Sequence, residues 1–118
     1  MSRQTAAQQS GAAGEDRALA YLTAQGLSLV ARNVGSKLGE LDLIMRDGQT
    51  VVFVEVRVRR SAAFGGAAAS VTPAKQQKLQ RQAQAWLKQR FGDRQWPACR
   101  FDVCAIEAGT MNWIRDAF

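Results

Sequence analysis

The stretch that decides the fold is VVFVEVRVRR, residues 51–60. Positions 52, 54, 56 and 58 are all valine, whereas the alternating positions carry Phe53, Glu55, Arg57 and Arg59. Because successive side chains of a β-strand point to opposite faces, one face is a wall of valine and the other a row of charge. Two interpretations are open here: a strand with a solvated outer face, or a strand whose charged face belongs to a site.

The size and charge of the chain limit its class. Its 118 residues suffice for one domain with a single core but are too few for two. The formal net charge is +6, because 16 Lys and Arg residues outnumber 10 Asp and Glu residues. A basic protein of this kind is expected to meet polyanions, nucleic acid first and an anionic membrane surface second.

The composition also excludes several kinds of site. There is no histidine, so zinc sites of the Cys/His kind and triads with a histidine base are excluded, and any metal would be a hard cation held by carboxylates. Cys99 and Cys104 lie on one predicted strand but on opposite faces, so no disulfide is expected between them. No apolar run approaches the roughly 18 residues of a membrane span, and we expect a cytoplasmic protein.

The first half of the chain predicts a helix followed by three strands. Residues 1–12 are polar and are predicted to be disordered, ahead of a single domain over residues 13–118. Helical spacing predicts a helix over residues 14–25. A short strand over residues 27–33, a turn at residues 34–37 and a hairpin around Asp47-Gly48-Gln49 complete this half.

The second half predicts a loop, a long helix and two strands. SAAFGGAAAS, residues 61–70, is small and Gly-rich and is expected to be a mobile loop. Thr72-Pro73 supplies an N-cap and a first-turn proline for a helix to about Phe91. Strand-like segments over residues 100–107 and 111–118 flank a turn at Ala108-Gly109.

The hairpin brings Asp42 and Glu55 to one face of the sheet for any even-numbered loop. A two-residue turn at Asp47-Gly48 would make them diagonal neighbours, and a four-residue loop would place them directly opposite each other. Arg57 lies on the same face, two residues beyond Glu55. The sheet therefore offers two acids and a cation side by side.

Two adjacent carboxylates have two common fates. They can share a proton, or they can bind a metal cation such as Mg²⁺ or Mn²⁺. In phosphoryl-transfer enzymes such a metal lowers the pKa of a bound water, and a nearby positively charged side chain stabilises the transition state. Alternatively, Arg57 and Arg59 can neutralise Asp42, Glu40 and Glu55 in a purely structural ion network.

The order of the motifs provides a further guide. GELDLI, FVEVRVR, VTPAKQQKLQRQAQAWL, RFDVCAI and the closing WIRDAF together resemble the YraN-like family of uncharacterised bacterial proteins, from Gly14 to Phe118. That family is similar to archaeal Holliday junction resolvases of the restriction-endonuclease-like superfamily. The resemblance implies a single α/β domain, a mixed β-sheet flanked by α-helices, with a metal site of the PD-(D/E)XK type.

Carried over to this chain, the resemblance assigns a role to each candidate residue. Asp42 matches the first metal-binding acid, Glu55 the second, and Glu15 the glutamate that completes the site in the resolvase-like members. Without the resemblance, Glu15 is equally well explained as a first-turn glutamate favoured by the helix dipole. Lys75 matches a basic residue on the helix after the loop and is expected to contact phosphate.

Arg57 occupies the position of the motif lysine and decides between hypotheses. Arginine is bulkier, planar and permanently protonated, so it suits a phosphate clamp better than it suits chemistry beside an attacking water.

The first hypothesis is a Mg²⁺-dependent endonuclease on branched or structured DNA, with Glu15, Asp42, Glu55 and Arg57 as its catalytic set. The second is a nucleic-acid-binding module without catalysis, and binding ranks ahead because both require it. The expected nucleic-acid contacts are Arg57, Arg59, Lys75, Lys78 and Arg81.

A third hypothesis is a protein-interaction module that uses exposed aromatic side chains. Its candidate residues are Phe64, Trp96 and Trp113, although such aromatics more often belong to the core or its rim. A homodimer is expected only by analogy, since resolvases act on two-fold symmetric junctions.

Overall fold

Five strands and three helices make up residues 6–36, 39–60 and 66–118, which are the residues that the computed structural model describes. The strands form one sheet in the order β1-β2-β3-β4-β5, in which β3 and β4 are parallel and the other neighbours antiparallel. The chain is therefore a single α/β domain with a mixed sheet, as expected, and this arrangement is consistent with an endonuclease-like fold. The elements are α1 (Ala6–Ala24), β1 (Ser28–Ser36), β2 (Gly39–Asp47), β3 (Thr50–Arg59), α2 (Gly66–Ala69), α3 (Pro73–Phe91), β4 (Cys99–Glu107) and β5 (Thr110–Ile114).

Helices cover both faces of the central strand β3. Val52 and Val54 pack with Ala18 and Leu22 of α1 in one buried cluster. Phe53, on the other face, packs in a second cluster with α2 and α3. The alternation predicted from the sequence is confirmed, but the charged face begins beneath α3 and is not a freely solvated surface.

The β2–β3 hairpin closes through a two-residue loop, Gly48-Gln49. Asp47 pairs with Thr50, and the register continues to Leu43 opposite Val54. Gly48 has a φ of 60°, in the region that favours glycine. The loop lies one residue later than the predicted Asp47-Gly48 turn, so the register would place Asp42 opposite Glu55 if the pairing continued beyond Leu43 and Val54.

Helix α3 begins and ends where the sequence predicts. The Thr72 hydroxyl accepts a hydrogen bond from the Lys75 backbone N–H at 3.3 Å, and Pro73 opens the first turn. Gly92, with a φ of 64°, donates its N–H to the Lys88 carbonyl at 2.7 Å and ends the helix. Leu79, Ala83 and Leu87 form the buried stripe, and Trp86 and Phe91 pack beside it.

Several predicted boundaries differ from those observed. Helix α1 begins at Ala6 and includes residues 6–12 of the segment predicted to be disordered, while residues 1–5 lie outside the described ranges. Strand β1 continues to Ser36, so no turn begins at residue 34. Gly35 pairs so closely with Glu40 that a side chain at position 35 would collide with Glu40. Strand β5 ends at Ile114, short of the predicted 118.

The segment expected to be a mobile loop contains a short helix. Residues 66–69 form α2, and the Glu107 carboxylate accepts a hydrogen bond from the Ala67 N–H at its start. Residues 61–65, including Phe64, lie outside the described ranges. Because the anchor lies 40 residues later in the chain, no local pattern could have predicted this helix.

Two expectations from composition can be compared with the structure. Cys99 is exposed and Cys104 is buried, and both are free thiols. The predicted absence of a disulfide is confirmed. Within the described ranges, no helix has the length and apolar character needed to cross a membrane.

Candidate functional site

Asp42 lies where strands β2 and β3 separate. Their pairing ends at Leu43 and Val54, one residue before Asp42 would face Glu55. In place of the next strand hydrogen bond, the Asp42 carboxylate accepts the Val56 backbone N–H at 2.9 Å. Leu41 packs on the α3 side although Leu43 packs on the α1 side, so the alternation of β2 is interrupted at Asp42. The irregular backbone fixes this carboxylate beside Glu55.

Glu55 is a buried acid that retains its proton at neutral pH. Its side chain faces α3, and the residue is only 8% exposed. The pKa of Glu55 is raised to about 8, mainly by burial and then by the charge of Asp42 and a hydrogen bond with Asp42. Arg57 and Lys75 lower this pKa, but by less. The two acids therefore form a carboxyl pair that shares one proton near neutral pH.

Arg57 makes contact with this pair, but one of its donors has no partner among the described residues. Its Nη2 atom lies 3.4 Å from Glu55 Oε1, a contact to a mostly protonated carboxyl at neutral pH. Its Nε atom is buried and has no hydrogen-bond partner among the described residues. A buried donor without an acceptor costs about 1–3 kcal/mol. The site therefore retains a directed donor that an added anion could satisfy.

Lys75 brings a second cation to the same place from the first turn of α3. Its side chain is partly buried, and burial, followed by repulsion from Arg57, lowers its pKa. Attraction to Glu55 acts in the opposite direction. The cap at Thr72 fixes the start of the helix and so fixes where Lys75 lies. The carboxyl pair is thus flanked by two cations that repel each other.

Glu15 approaches Asp42 from α1, on the other side of the sheet. Burial is the main cause that raises the pKa of Glu15, and Asp42 is the next. Arg32 of β1 lies 3.5 Å from Glu15 and 2.9 Å from Asp16, so it holds Glu15 in an ion pair. No sequence pattern predicts Arg32 as a partner, because this contact joins an edge strand to the first helix.

The metal predicted at Asp42 and Glu55 can be compared with the donor set. Carboxylate oxygens suit Mg²⁺ or Mn²⁺, and a cation could replace the proton that the pair shares. Across residues 6–36, 39–60 and 66–118, however, no three Asp, Glu or Cys residues converge closely enough to hold a metal. A cation at this place would therefore have only Asp42 and Glu55 as direct protein ligands among the described residues, with Glu15 outside the pair.

The remaining predicted nucleic-acid contacts are more exposed. Lys78 and Arg81 lie on the solvent side of α3, and Arg59 extends from the end of β3. Arg59 donates to the Val58 carbonyl at 2.8 Å, and its charge also lowers the pKa of Lys75. The structure therefore brings Arg57, Arg59 and Lys75 together, with Lys78 and Arg81 further along the helix.

The aromatic residues of the interaction hypothesis are in different environments. Trp113 is half-buried and donates its indole N–H to Asp102 at 2.9 Å, which makes it part of the internal structure. Trp96 is 37% exposed and donates to the Gly92 carbonyl at 3.0 Å. Phe64 lies outside the described residues.

Fold and site together define a class: a single-domain α/β protein with a mixed sheet and a partly buried carboxyl pair between two cations. The sequence profile described as "Uncharacterised protein family UPF0102" matches residues 14–106. The chain is 53% identical to the UPF0102 protein YraN of Escherichia fergusonii over 116 residues, which cover 98% of this chain and 88% of that protein. The chain belongs to the UPF0102 family.

Other relatives have the same printed name and a similar extent. YraN proteins of Escherichia coli and Shigella dysenteriae are 51% and 52% identical over 116 residues, with the same coverage of 98% and 88%. The matched region contains the carboxyl pair and both flanking cations. The family is described as uncharacterised, so its name assigns no activity to the site.

Proposed function

We propose that this protein binds nucleic acid, in the first instance DNA, with a backbone phosphate at Arg57 and Lys75. The observation that carries the proposal is the buried Arg57 Nε without a hydrogen-bond partner among the described residues, beside a second cation. A phosphate oxygen would supply the missing acceptor and reduce the repulsion between the two cations. Arg59, Lys78 and Arg81 would extend the contact along the backbone by charge. The resemblance to junction resolvases favours branched or structured DNA.

The carboxyl pair gives this site a second component. A divalent cation at Asp42 and Glu55 would replace the shared proton and allow an anionic phosphate to lie beside two acids. Without such a cation, the negative charge of Asp42 opposes phosphate binding. Mg²⁺ or Mn²⁺ is therefore expected to strengthen the binding of DNA.

Hydrolysis of the phosphodiester is a second candidate function, and the carboxyl pair itself favours it. A bound divalent cation supplies a water of lowered pKa in sites of this composition. In this chain Asp42 and Glu55 would hold the cation, Arg57 would stabilise charge on the phosphate, and Glu15 would orient water from the α1 side. Arg57 in place of a lysine is the feature that favours binding without cleavage.

The binding proposal is tested with a labelled four-way DNA junction and a duplex of the same length. We expect Arg57→Gln to weaken binding by about tenfold and to reduce the dependence on salt by about one phosphate contact. Arg17→Gln is the matched control, because Arg17 is exposed on α1 and the variant has the same net charge. An equal loss in both variants would contradict the proposed site.

Cleavage is tested on the same DNA with Mg²⁺ or Mn²⁺ added. If the protein is a nuclease, product forms only with metal, and Asp42→Asn and Glu55→Gln abolish it while the controls keep it. If the wild-type protein binds DNA tightly but no product forms at saturating metal, the binding function stands and the nuclease candidate is rejected. If neither binding nor cleavage occurs, the protein-interaction alternative takes precedence.

A further inference from the structure

A second concave site lies at the other end of the sheet face that carries Glu55. It is a pocket of about 290 Å³ between the β2–β3 loop and the C-terminal part of α3. Its wall includes Val51, which is four residues before Glu55 on β3, or roughly 13 Å at ~3.3 Å per residue. The pocket is therefore separate from the carboxyl pair, although both open on the α3 side of the sheet.

One part of the wall of this pocket is apolar. Trp86, Phe91 and Pro97 line it, together with two valines. Trp86 is held edge-to-face by Phe53 at 5.9 Å and by Phe91 at 6.3 Å between ring centroids. These contacts fix the indole before any ligand arrives. Aromatic side chains held in this way suit a planar ring, because such a ring can stack on one of them and meet the other edge-on.

Two arginines line the same pocket. Arg46 comes from β2 and Arg90 from the last turns of α3, and both are exposed. The guanidinium of Arg90 lies 5.4 Å from the centre of the Trp86 ring. Among the described residues, neither arginine forms an ion pair, because the acid network of Arg100, Asp47 and Asp102 lies on the opposite side of the sheet. The charge of the pocket is complementary to an anion, and paired guanidinium groups suit phosphate.

We propose that this pocket binds a mononucleotide unit, with its base against Trp86 and Phe91 and its phosphate at Arg46 and Arg90. Gln49 adds an amide that can donate to and accept from a base edge. The volume lies at the lower limit of small-molecule pockets, about 300 Å³, and so suits one nucleotide and not a dinucleotide. The unit is either a free nucleotide or an unpaired nucleotide of a nucleic acid, since both present the same base and phosphate.

The inference is independent of the proposed function, because it rests on other residues and requires no metal. It is tested by calorimetric titration with thymidine and adenosine 5′-monophosphates, in the absence of divalent cations. We expect saturable binding, and weaker binding of the nucleoside alone and of inorganic phosphate alone. Arg46→Gln and Arg90→Gln should each lower the affinity about tenfold or more. Lys88→Gln, an exposed cation on the same helix, is the matched control.

Nuclear magnetic resonance locates the ligand within the fold. The chain has three tryptophans, and only the indole N–H signal of Trp86 should shift on titration, whereas that of Trp113 should not. Both arginines are exposed, so the variants are expected to fold, and their melting temperatures check this. No saturable binding by the wild-type protein, or equal binding by wild type and both arginine variants, would overturn the inference.

A final arm separates the two sources of the nucleotide and the two proposals. A 5′-phosphorylated trinucleotide that binds more tightly than the mononucleotide identifies nucleic acid as the source, and the reverse identifies a free nucleotide. Arg17→Gln, an exposed position on α1 outside both sites, should leave mononucleotide binding unchanged. A protein that binds junction DNA through Arg57 but no mononucleotide would reject this inference alone, and the opposite result would reject only the proposed function.

Discussion

Two buried acids lie within one residue of each other in the sheet but have opposite environments. Asp102 of β4 pairs with Val54, the residue before Glu55. Asp102 is fully buried and accepts hydrogen bonds from Arg100 Nε at 3.0 Å, Trp113 Nε1 at 2.9 Å and the Asp116 backbone N–H at 2.9 Å. Glu55 has instead a second acid beside it and an arginine with one donor that finds no partner in the described part of the chain.

This difference separates a structural charge from a candidate functional one. A buried carboxylate surrounded by donors is compensated by the protein itself, so it fixes the positions of its neighbours. A buried carboxyl beside a like charge is compensated only by taking up a proton or a cation. Asp102 therefore joins β4 to the C-terminal segment, whereas Glu55 and Asp42 remain able to exchange a proton for a ligand.

The largest expected effect is the loss of stability on changing the compensated acid. Asp102→Asn places an amide among three donors, and removing one partner of a buried ion pair typically costs about 3–5 kcal/mol. Glu55→Gln should cost much less at neutral pH, because Glu55 is already protonated there. Chemical denaturation of both variants measures the free energy of unfolding. Equal losses in the two variants would remove the distinction between the acids.

The pH dependence of stability gives the next largest effect. The pKa of Glu55 is about 8 when folded, above its ordinary value of 4.5, so the folded state binds this proton more tightly. The resulting stabilisation is fully present below about pH 4.5 and is lost as the pH rises towards 8. Between pH 5 and pH 7 the free energy of unfolding of the wild-type protein should fall by about 2 kcal/mol relative to that of Glu55→Gln. A constant difference between the two proteins over this range would contradict the shared proton.

Metal binding should stabilise the protein by a smaller amount. A cation that binds only the folded state adds about 1.4 kcal/mol at ten times its Kd. The gain should be present in the wild-type protein and absent in Asp42→Asn, as measured by thermal unfolding with and without Mg²⁺. Asp93→Asn, which removes an exposed acid after α3, is the matched control and should retain the gain. A gain in all three proteins would indicate general screening of charge.

The sequence predicts those parts of this comparison that depend on local periodicity. Alternation along β3 assigns Val52 and Val54 to one side and Glu55 to the other, because the period of a strand is a property of the backbone. The N-cap at Thr72 predicts the start of α3 for a similarly local reason. An even hairpin loop predicts that Asp42 and Glu55 approach each other, but the irregular backbone that fixes Asp42 beside Glu55 has no signal in the periodicity.

What the sequence does not predict depends on contacts between distant elements. The Arg32–Glu15 ion pair joins β1 to α1, and the cap of α2 comes from Glu107 in β4. The early start of α1 at Ala6 has a different reason, because alanine and glutamine form helix well without an apolar pattern to reveal it. The missing partner of Arg57 Nε is visible only when burial is known, so the sequence identified the residue but not its unsatisfied donor.

Arg57→Lys tests the comparison with the smallest expected change in stability. The substitution removes the buried Nε without a partner and keeps a positive charge near Glu55, so the free energy of unfolding should change by less than about 1 kcal/mol. A lysine is also a more compact charge beside a bound water, so any metal-dependent cleavage of junction DNA should increase. Rates at saturating Mg²⁺, measured beside Arg17→Lys as control, decide the outcome. A decrease would show that arginine is fitted to this site, and that the open donor beside Glu55 serves binding in preference to chemistry.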